Sequence, residues 1–272
     1  MANSEGLVRV ILRKINYYWR LFATGFSFFM FGLGGILIPI IVVPILYILP
    51  GSSSDRERRG QKFIHYAFRS FIGMMKYMGV LTYNVTDVEK LKKAKLILSN
   101  HPTLLDVVFL ISFVPNANCV VKSQLMKNPV MLGALSAAGY IVNDEAAEDV
   151  ISAAEVAFNK QHALIVFPEG TRTTPSQPIR LKRGAANIAI RTGADITPVT
   201  IECTPIALTK GAKWYQIPQA RMHFQISVKD KIHIETYLTN DNPAKAARLL
   251  TKDLSNYFKQ ELGLHEQTAQ RT

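Results

Sequence analysis

The chain has 272 residues, enough for one sizeable α/β core with an appendage and few for two full domains. Apolar residues make up 48% of it and the mean hydropathy is slightly positive, which indicates a membrane segment. The formal net charge of +12 indicates an anionic partner. Because no nucleic-acid-binding motif is present, we exclude nucleic acid and expect membrane lipid, with a basic but uninvolved surface as the alternative.

The two cysteines, Cys119 and Cys203, lie far apart and fit neither a CxxC motif nor the spacing of metal ligands. This usage is typical of reduced thiols on the cytosolic side of a membrane. We therefore expect structural roles for both, and neither is a candidate nucleophile.

Residues 21–49 contain no charged side chain and exceed the roughly 20 apolar residues that cross a bilayer. Pro39 and Pro44 interrupt the run, so we do not expect one straight helix. The basic residues on both sides favour a re-entrant or interfacial hairpin with both ends cytosolic over a single span, and a buried helix pair is the other alternative. We assign residues 1–78 to a membrane-anchoring helical segment. These basic residues are Arg9, Arg13, Lys14 and Arg20 before the run, and Arg56, Arg58, Arg59 and Lys62 after it.

After Gly79, short β-branched runs alternate with amphipathic stretches, which is typical of an α/β sheet covered by helices. We predict a single domain over residues 79–264 with a mixed central sheet flanked by helices, a surface loop at 204–220, and a disordered tail at 265–272. The predicted strands are 82–85, 96–99, 119–122, 140–142, 164–167, 196–201, 223–228 and 232–234, and the predicted helices are 103–113, 129–138, 146–159, 182–191 and 243–262.

The first chemical motif, residues 99–106, reads SNHPTLLD and follows a predicted strand. His101 can accept a proton near neutral pH, and Asp106, in the first turn of a helix opened by Thr103, can hold one imidazole nitrogen. Such a pair activates a substrate hydroxyl without an enzyme nucleophile, and the chain has no G-x-S-x-G. Taken alone, the pair is weak evidence, because a capping aspartate beside a loop histidine is the more common explanation.

The second motif, residues 168–173, reads PEGTRT and follows a buried strand, and Lys182, Arg183 and Gly184 stand at a helix start further on. Together they form a plausible anion cradle in which Arg172 binds a phosphate-like head group. An ion pair between Glu169 and Arg172 that shapes the turn is the alternative. Lys122, at a strand end, could meet a carrier's phosphate or be a solvated lysine.

These motifs resemble the blocks of the 1-acyl-sn-glycerol-3-phosphate acyltransferase (PlsC-type) family. Asn100, His101 and Asp106 match its first block, and residues 167–172 (FPEGTR) match another. Further matches are Lys182 and Gly184 downstream, and residues 197–199 (TPV). The resemblance implies that His101 and Asp106 are the catalytic dyad and that no metal or redox cofactor is needed. The residues it assigns to substrate binding are Asn100, Glu169, Gly170, Thr171, Arg172, Lys182 and Gly184.

One block departs from the family pattern. Where the family has an arginine that helps to hold the acceptor's phosphate, residues 139–144 read GYIVND. Asn143 suggests a different head group, so a lyso-amino-acid lipid or a glycolipid is an alternative acceptor to lysophosphatidate. An inactive lipid-binding homologue and a thioester hydrolase are further alternatives.

The sequence therefore predicts an O-acyltransferase that moves a fatty acyl group from acyl-CoA or acyl-carrier protein to a lysophospholipid-like acceptor. By implication of the resemblance, it associates with membrane phospholipids through its N-terminal part. We expect it in a bacterial inner membrane with the active site facing the cytoplasm.

Overall fold

The computed structural model describes residues 2–143, 147–173, 179–239 and 242–263. The N-terminal part is helical, with α1 (Ala2–Leu37), a π-helical turn (Ile38–Val42), α2 (Val43–Ile48) and α3 (Ser53–Tyr77). Within the described residues, one helical stretch, Leu7–Ile48, is long and apolar enough to cross a membrane, judged by length and composition.

The chain stays helical through Pro39 and Pro44, but a π-helical turn separates α1 from α2, so the run is not one regular helix, as we expected. Each proline stands in the first turn of its own helical section, where its fixed φ and missing N–H are tolerated. The π-helical turn between the two sections has a wider hydrogen-bonding pattern that accommodates the change. The apolar run is therefore one helical path with a local irregularity at the prolines, and the hairpin that we expected within residues 21–49 is not formed.

Helix α3 runs antiparallel to α1 and α2. Trp19 donates to the carbonyl of Met78, the ring of Phe31 meets that of Phe68, and Arg56 lies over the ring of Tyr47. A capping box between Ser52 and Asp55 starts α3 directly after the connecting turn. The N-terminal segment is thus a helical hairpin, and its relation to a bilayer stays a prediction.

The domain that follows contains a seven-stranded sheet in the order β1-β7-β6-β2-β5-β3-β4. All neighbouring strands are parallel except β6 and β7, so the predicted mixed sheet is confirmed. The strands are β1 (Leu81–Thr86), β2 (Leu96–Ser99), β3 (Ala117–Lys122), β4 (Ile141–Asn143), β5 (Ala163–Val166), β6 (Ile196–Thr204) and β7 (Met222–Val228).

Helices cover both faces of the sheet and create two apolar cores. The pleat of β2 points Ile97 into the core beneath α3 and α4, and points Leu96 and Leu98 into the core beneath α6, α7 and α9. The remaining helices are α4 (Asp106–Phe113), α5 (Pro129–Ala138), α6 (Ala147–Asn159), α7 (Gly184–Thr192), α8 (Glu235–Leu238) and α9 (Pro243–Glu261).

The structure corrects two predicted elements. Residues 232–234 make only one bridge, between Ile196 and Ile232, before α8 begins. The helix expected from Thr103 begins at Asp106, because residues 101–105 form the turn that leaves β2. The predicted loop at 204–220 does connect β6 to β7, whereas the predicted tail at 265–272 lies outside the described residues.

Candidate active site

Two neighbouring parallel strands, β2 and β5, bring the sequence motifs together. The carboxyl ends of parallel strands meet at one edge of a sheet, which is where α/β proteins place ligand-binding loops. His101 follows β2, and residues 167–173 follow β5, so the two motifs meet at that edge. Thr173 confirms the approach, because its N–H donates to the carbonyl of His101 at 2.7 Å.

His101 and Asp106 form a close pair. The Nδ1 atom of His101 lies 2.8 Å from Oδ2 of Asp106. Because an ionised carboxylate only accepts hydrogen bonds, Nδ1 carries the proton and Nε2 keeps a free lone pair. No described residue hydrogen-bonds Nε2, and the His101 side chain is 18% exposed. The pair can therefore accept a proton from a group that enters the site.

Asp106 is completely buried and is held by two further donors. The N–H of Thr103 donates to Oδ2 at 2.7 Å, and the Thr103 hydroxyl donates to Oδ1 at 2.6 Å. Burial raises the pKa of the Asp106 carboxyl, and the bonds from His101 and Thr103 oppose that shift. Since little water shields the ionised carboxylate, it would interact strongly with a positive charge on His101.

Glu169 links the two motifs through the backbone. Its Oε1 accepts from the N–H of His101 at 2.9 Å and from the hydroxyl of Thr173 at 3.0 Å. Burial is the main cause of a raised pKa at Glu169. Arg172 bonds elsewhere, so the alternative ion pair between these two residues is not formed. The carboxylate of Glu169 fixes the loop that carries His101.

Phe167 was not singled out as a site residue by itself, yet its ring covers the imidazole. The ring centroids of Phe167 and His101 lie 4.3 Å apart with an interplanar angle of 28°. Stacking on one face and the bond to Asp106 at one edge together fix the orientation of His101. In the sequence, the feature that could have indicated this role was the position of Phe167 at the end of a buried strand.

Lys182 lies over the turn that contains Gly170. Gly170 has a φ of +66°, and a Cβ there would lie 3.1 Å from Nζ of Lys182. The backbone N–H of Lys182 also donates to the carbonyl of Pro168 at 2.7 Å. Thr171 is half-buried in the same turn, and Gly184 begins α7 two residues after Lys182. The structure thus brings Lys182 to the turn that contains Gly170 and Thr171.

Two predicted binding residues use much of their hydrogen-bonding capacity on the backbone. Asn100 is buried and exchanges two hydrogen bonds with Ile201. Arg172 donates from Nη1 to the carbonyls of Leu208 and Thr209, at 3.0 and 2.9 Å. The structure therefore gives Asn100 a scaffolding contact, and among the described residues Nε and Nη2 of Arg172 have no hydrogen-bond partner.

The ends of β3 and β4 add a second basic position. Lys122 and Asn143 are register partners at the carboxyl ends of these strands, and both are exposed. Lys122 therefore stands beside Asn143, in the stretch where the resemblance led us to expect an arginine. The sequence indicated this basic position only through the placement of Lys122 at the end of a predicted strand.

Comparisons with known proteins relate this chain to acyltransferases. Residues 82–202 match the sequence profile of the Acyltransferase family. The chain is 32% identical over 195 residues to the putative 1-acyl-sn-glycerol-3-phosphate acyltransferase acl-2 of Caenorhabditis elegans, covering 68% of this chain and 62% of that protein. It is 25% identical over 169 residues to the chloroplastic 1-acyl-sn-glycerol-3-phosphate acyltransferase BAT2 of Brassica napus, covering 58% of this chain and 47% of that protein.

Residues 82–202 are a PlsC-type acyltransferase domain. The crystal structure of the 1-acyl-sn-glycerophosphate acyltransferase PlsC from Thermotoga maritima has the same fold, with a TM-score of 0.66 at 18% identity over 91% of this chain and 98% of that one. The matches span less than two thirds of the two curated relatives, 62% and 47% of their lengths.

The PlsC-type domain contains every residue that the sequence assigned to the site, from Asn100 to Gly184. The N-terminal helical hairpin and the loop at 205–221 lie outside the matched region.

Proposed function

We propose that this protein is an O-acyltransferase of the 1-acylglycerol-3-phosphate type, which moves a fatty acyl group from acyl-CoA or acyl-carrier protein to a lysophospholipid-like acceptor. The observation that carries the proposal is the His101–Asp106 pair, with Nδ1 held at 2.8 Å and Nε2 free of partners among the described residues. The membership of residues 82–202 in an acyltransferase family supports it.

In the proposed reaction, Nε2 of His101 takes the proton of the acceptor hydroxyl as its oxygen attacks the thioester carbonyl. The new C–O bond forms, and the tetrahedral intermediate then breaks its C–S bond. The imidazolium returns the proton to the departing thiolate, so the step needs no further reactant. Buried Asp106 stabilises the imidazolium in between. General-base help of this kind is worth ~10²–10⁴ in rate.

Basic groups beside the pair are suited to an anionic head group. Lys182 lies over the Gly170 turn, and Nε and Nη2 of Arg172, which bond none of the described residues, can donate to a phosphate. Lys122 stands at the end of β3 on the same edge of the sheet. We propose that Thr171, Arg172 and Lys182 bind the acceptor's phosphate, and that Lys122 supplies charge near Asn143.

A second acceptor class has one specific observation in its favour. Asn143, at the end of β4, is a neutral amide that can both donate and accept hydrogen bonds. An amide is suited to a hydroxylated or amino-acid head group rather than to a phosphate. A lyso-amino-acid lipid or a glycolipid is therefore the alternative acceptor.

The helical hairpin supports membrane association. Helices α1 and α2 expose large apolar side chains, among them Phe22 at 60%, Phe29 at 63% and Ile48 at 82%. Exposed apolar side chains in such number are typical of a surface that meets lipid. We propose that the hairpin holds the active site at a membrane, in a bacterial inner membrane on its cytoplasmic side.

The test is a transfer assay with purified protein in detergent. Labelled acyl-CoA or acyl-carrier protein is offered with lysophosphatidate, a lyso-amino-acid lipid and a lyso-glycolipid, and products are identified by mass spectrometry. We expect His101→Ala and Asp106→Asn to lower kcat by ~10²–10⁴, since one removes the base and the other removes its anionic partner.

His233→Ala is the matched control. His233 also bonds an aspartate, with Nδ1 at 2.9 Å from Oδ2 of Asp195, but it is exposed and lies outside the site. It should keep wild-type turnover. Free fatty acid as the only product would indicate a thioester hydrolase, and equal, negligible turnover by wild type and His101→Ala would leave a lipid-binding protein.

A further inference from the structure

The loop of residues 205–221 reaches the site at one of its ends. The carbonyl of Leu208 accepts from the N–H of Leu104 at 3.1 Å and from Nη1 of Arg172 at 3.0 Å. The carbonyl of Thr209 accepts from the same Nη1 at 2.9 Å. Leu208 is buried and has a φ of +54°, an uncommon conformation for leucine that its surroundings must hold. The placement of Arg172 therefore depends on this loop.

The other end of the loop is fastened to α1 by Arg20. Its guanidinium donates from Nη1 to the carbonyls of Pro218 and Ala220 at 3.0 and 2.9 Å, and from Nη2 to the carbonyl of Gln219 at 2.6 Å. Nε donates to Oδ1 of Asn16 at 2.9 Å, which orients the group along the helix. One side chain of α1 thus binds three successive carbonyls of the loop.

Trp214 makes a second contact between the same loop and α1. Its ring lies against Gly25, where an added Cβ would come within 3.0 Å of Cζ3, and its centroid is 6.3 Å from that of Phe28. Because Gly25 has no side chain, the indole of Trp214 can pack directly against the backbone of α1. Arg20 and Trp214 together fix the loop on the helix at two points.

Arg20 is only 4% exposed, and no carboxylate of the described residues forms an ion pair with it. A buried charge is costly unless hydrogen bonds replace its lost water, and here neutral loop carbonyls provide them. The sequence grouped Arg20 with the basic residues that flank the membrane run. Its burial instead assigns it to contact with the domain.

We propose that Arg20 is a positioning residue for the acceptor site: it fastens the 205–221 loop to α1, and the loop in turn holds Arg172 through Leu208 and Thr209. The proposal rests on the proposed role of Arg172 in acceptor binding. On this proposal α1 is part of the acceptor site. The domain reaches full affinity for the acceptor only when α1 is packed against the 205–221 loop.

The test compares Arg20→Gln with Arg13→Gln in the full-length protein. Arg13 stands on the same helix, is exposed, and forms no side-chain hydrogen bond or ion pair with the described residues, so it controls for the loss of one positive charge. The loop carries exposed tryptic sites at Lys210 and Lys213. Limited trypsin digestion followed by mass spectrometry measures how firmly the loop is held, and initial rates give kcat and the acceptor KM.

We expect Arg20→Gln to speed cleavage at Lys210 and Lys213 by roughly tenfold or more, because cleavage needs the loop to open. We also expect the acceptor KM to rise about tenfold with kcat and the donor KM nearly unchanged, as for a lost binding contact. Arg13→Gln should match wild type in all of these. Trp214→Ala should shift them in the same direction as Arg20→Gln, without leaving buried carbonyls unpaired.

A double-mutant cycle tests the connection to Arg172. If Arg20 acts through Arg172, the acceptor KM of Arg20→Gln combined with Arg172→Gln should equal that of Arg172→Gln alone. Additive effects, unchanged cleavage, or faster cleavage with an unchanged acceptor KM would each overturn the positioning role. Absence of transferase activity in the wild type counts against the proposed function instead, and the trypsin comparison distinguishes that case because it needs no turnover.

Discussion

The side-chain amide of Asn100 replaces a strand neighbour for Ile201: Nδ2 donates to the carbonyl of Ile201 and Oδ1 accepts from its N–H, both at 2.8 Å. The β2–β6 register ends at the pair Ser99 and Val199, so the amide continues the pairing where the backbone of β2 turns away. It fixes the residue that precedes His101.

Asn100→Ala should therefore lower both stability and turnover. It leaves the buried N–H and carbonyl of Ile201 without these partners, which costs about 1–3 kcal/mol, and it releases the turn that carries His101. Thermal unfolding in detergent and kcat measure the two effects. Asn84→Ala, at an exposed amide on β1, is the control and should change neither. Unchanged unfolding of Asn100→Ala would contradict the scaffolding role.

Gly170 and Gly193 form a matched pair for the anion turn. Both have a φ of +66°, but a Cβ at Gly170 would lie 3.1 Å from Nζ of Lys182, whereas a Cβ at Gly193 meets nothing within 4 Å. Each change to alanine should cost about 1 kcal/mol of stability for the left-handed backbone. Only Gly170→Ala should raise the acceptor KM, because it displaces Lys182. Equal KM values for the two variants would contradict a role for Lys182 in binding.

Substitution by alanine should lower the stability of the protein at Gly60 and raise it at Gly73, although both residues lie in α3. A Cβ at Gly60 would come within 1.7 Å of the Ala137 carbonyl oxygen, and one at Gly73 meets nothing within 4 Å. Gly60→Ala should lose at least about 1–3 kcal/mol through overpacking against α5. Gly73→Ala should gain roughly 0.5–1 kcal/mol from helix propensity. Unfolding temperatures that shift in the same direction would show that α3 and α5 are not closely packed.

Cys119 should make stability fall at alkaline pH. Burial raises the pKa of its thiol from 9.0 to about 12. Between these values the unfolded chain releases a proton that the folded chain retains, so unfolding becomes easier by about 1.4 kcal/mol per pH unit. The stability difference between wild type and Cys119→Ala should stay constant below pH 9 and decline above it. Denaturant titrations at several pH values measure it, and a constant difference up to pH 11 would refute the prediction.

Reactivity gives a second check on the same thiols. Cys119 is 2% exposed and Cys203 is 8% exposed, and burial also raises the pKa of Cys203 to about 12. Iodoacetamide at pH 8 should therefore modify neither in the folded protein and both in denaturant. Rapid modification of the native protein would show that these positions open to solvent.

Most strands were predictable because a strand buried on both faces is a short, nearly continuous apolar run. Both ends of β2 were predicted correctly, because its four apolar or small residues are flanked by the polar residues Lys95 and Asn100. Residues 232–234 share that pattern but make only one bridge, because Glu235 already begins α8. Composition does not tell whether a neighbouring strand is available to pair with such a run.

The sequence by itself determined the interactions whose partners are close along the chain. Asp106 reaches His101 and Thr103 because the turn after β2 spans only these few residues. Their spacing in the sequence therefore already predicts that the three side chains lie close together. The sequence also located the apolar run at residues 21–49, but it predicted a hairpin there, and only the structure shows one helical path through Pro39 and Pro44.

Only the tertiary structure decided which distant backbone groups the polar side chains bind. Arg172 and Arg20 looked like cations for phosphate and for the membrane flank, yet they bind loop carbonyls 36 to 200 positions away. A guanidinium can donate hydrogen bonds to a phosphate or to a carbonyl. Its partner here is set by the 205–221 loop between β6 and β7, which contacts α1 through Arg20 and the active-site turn through Arg172.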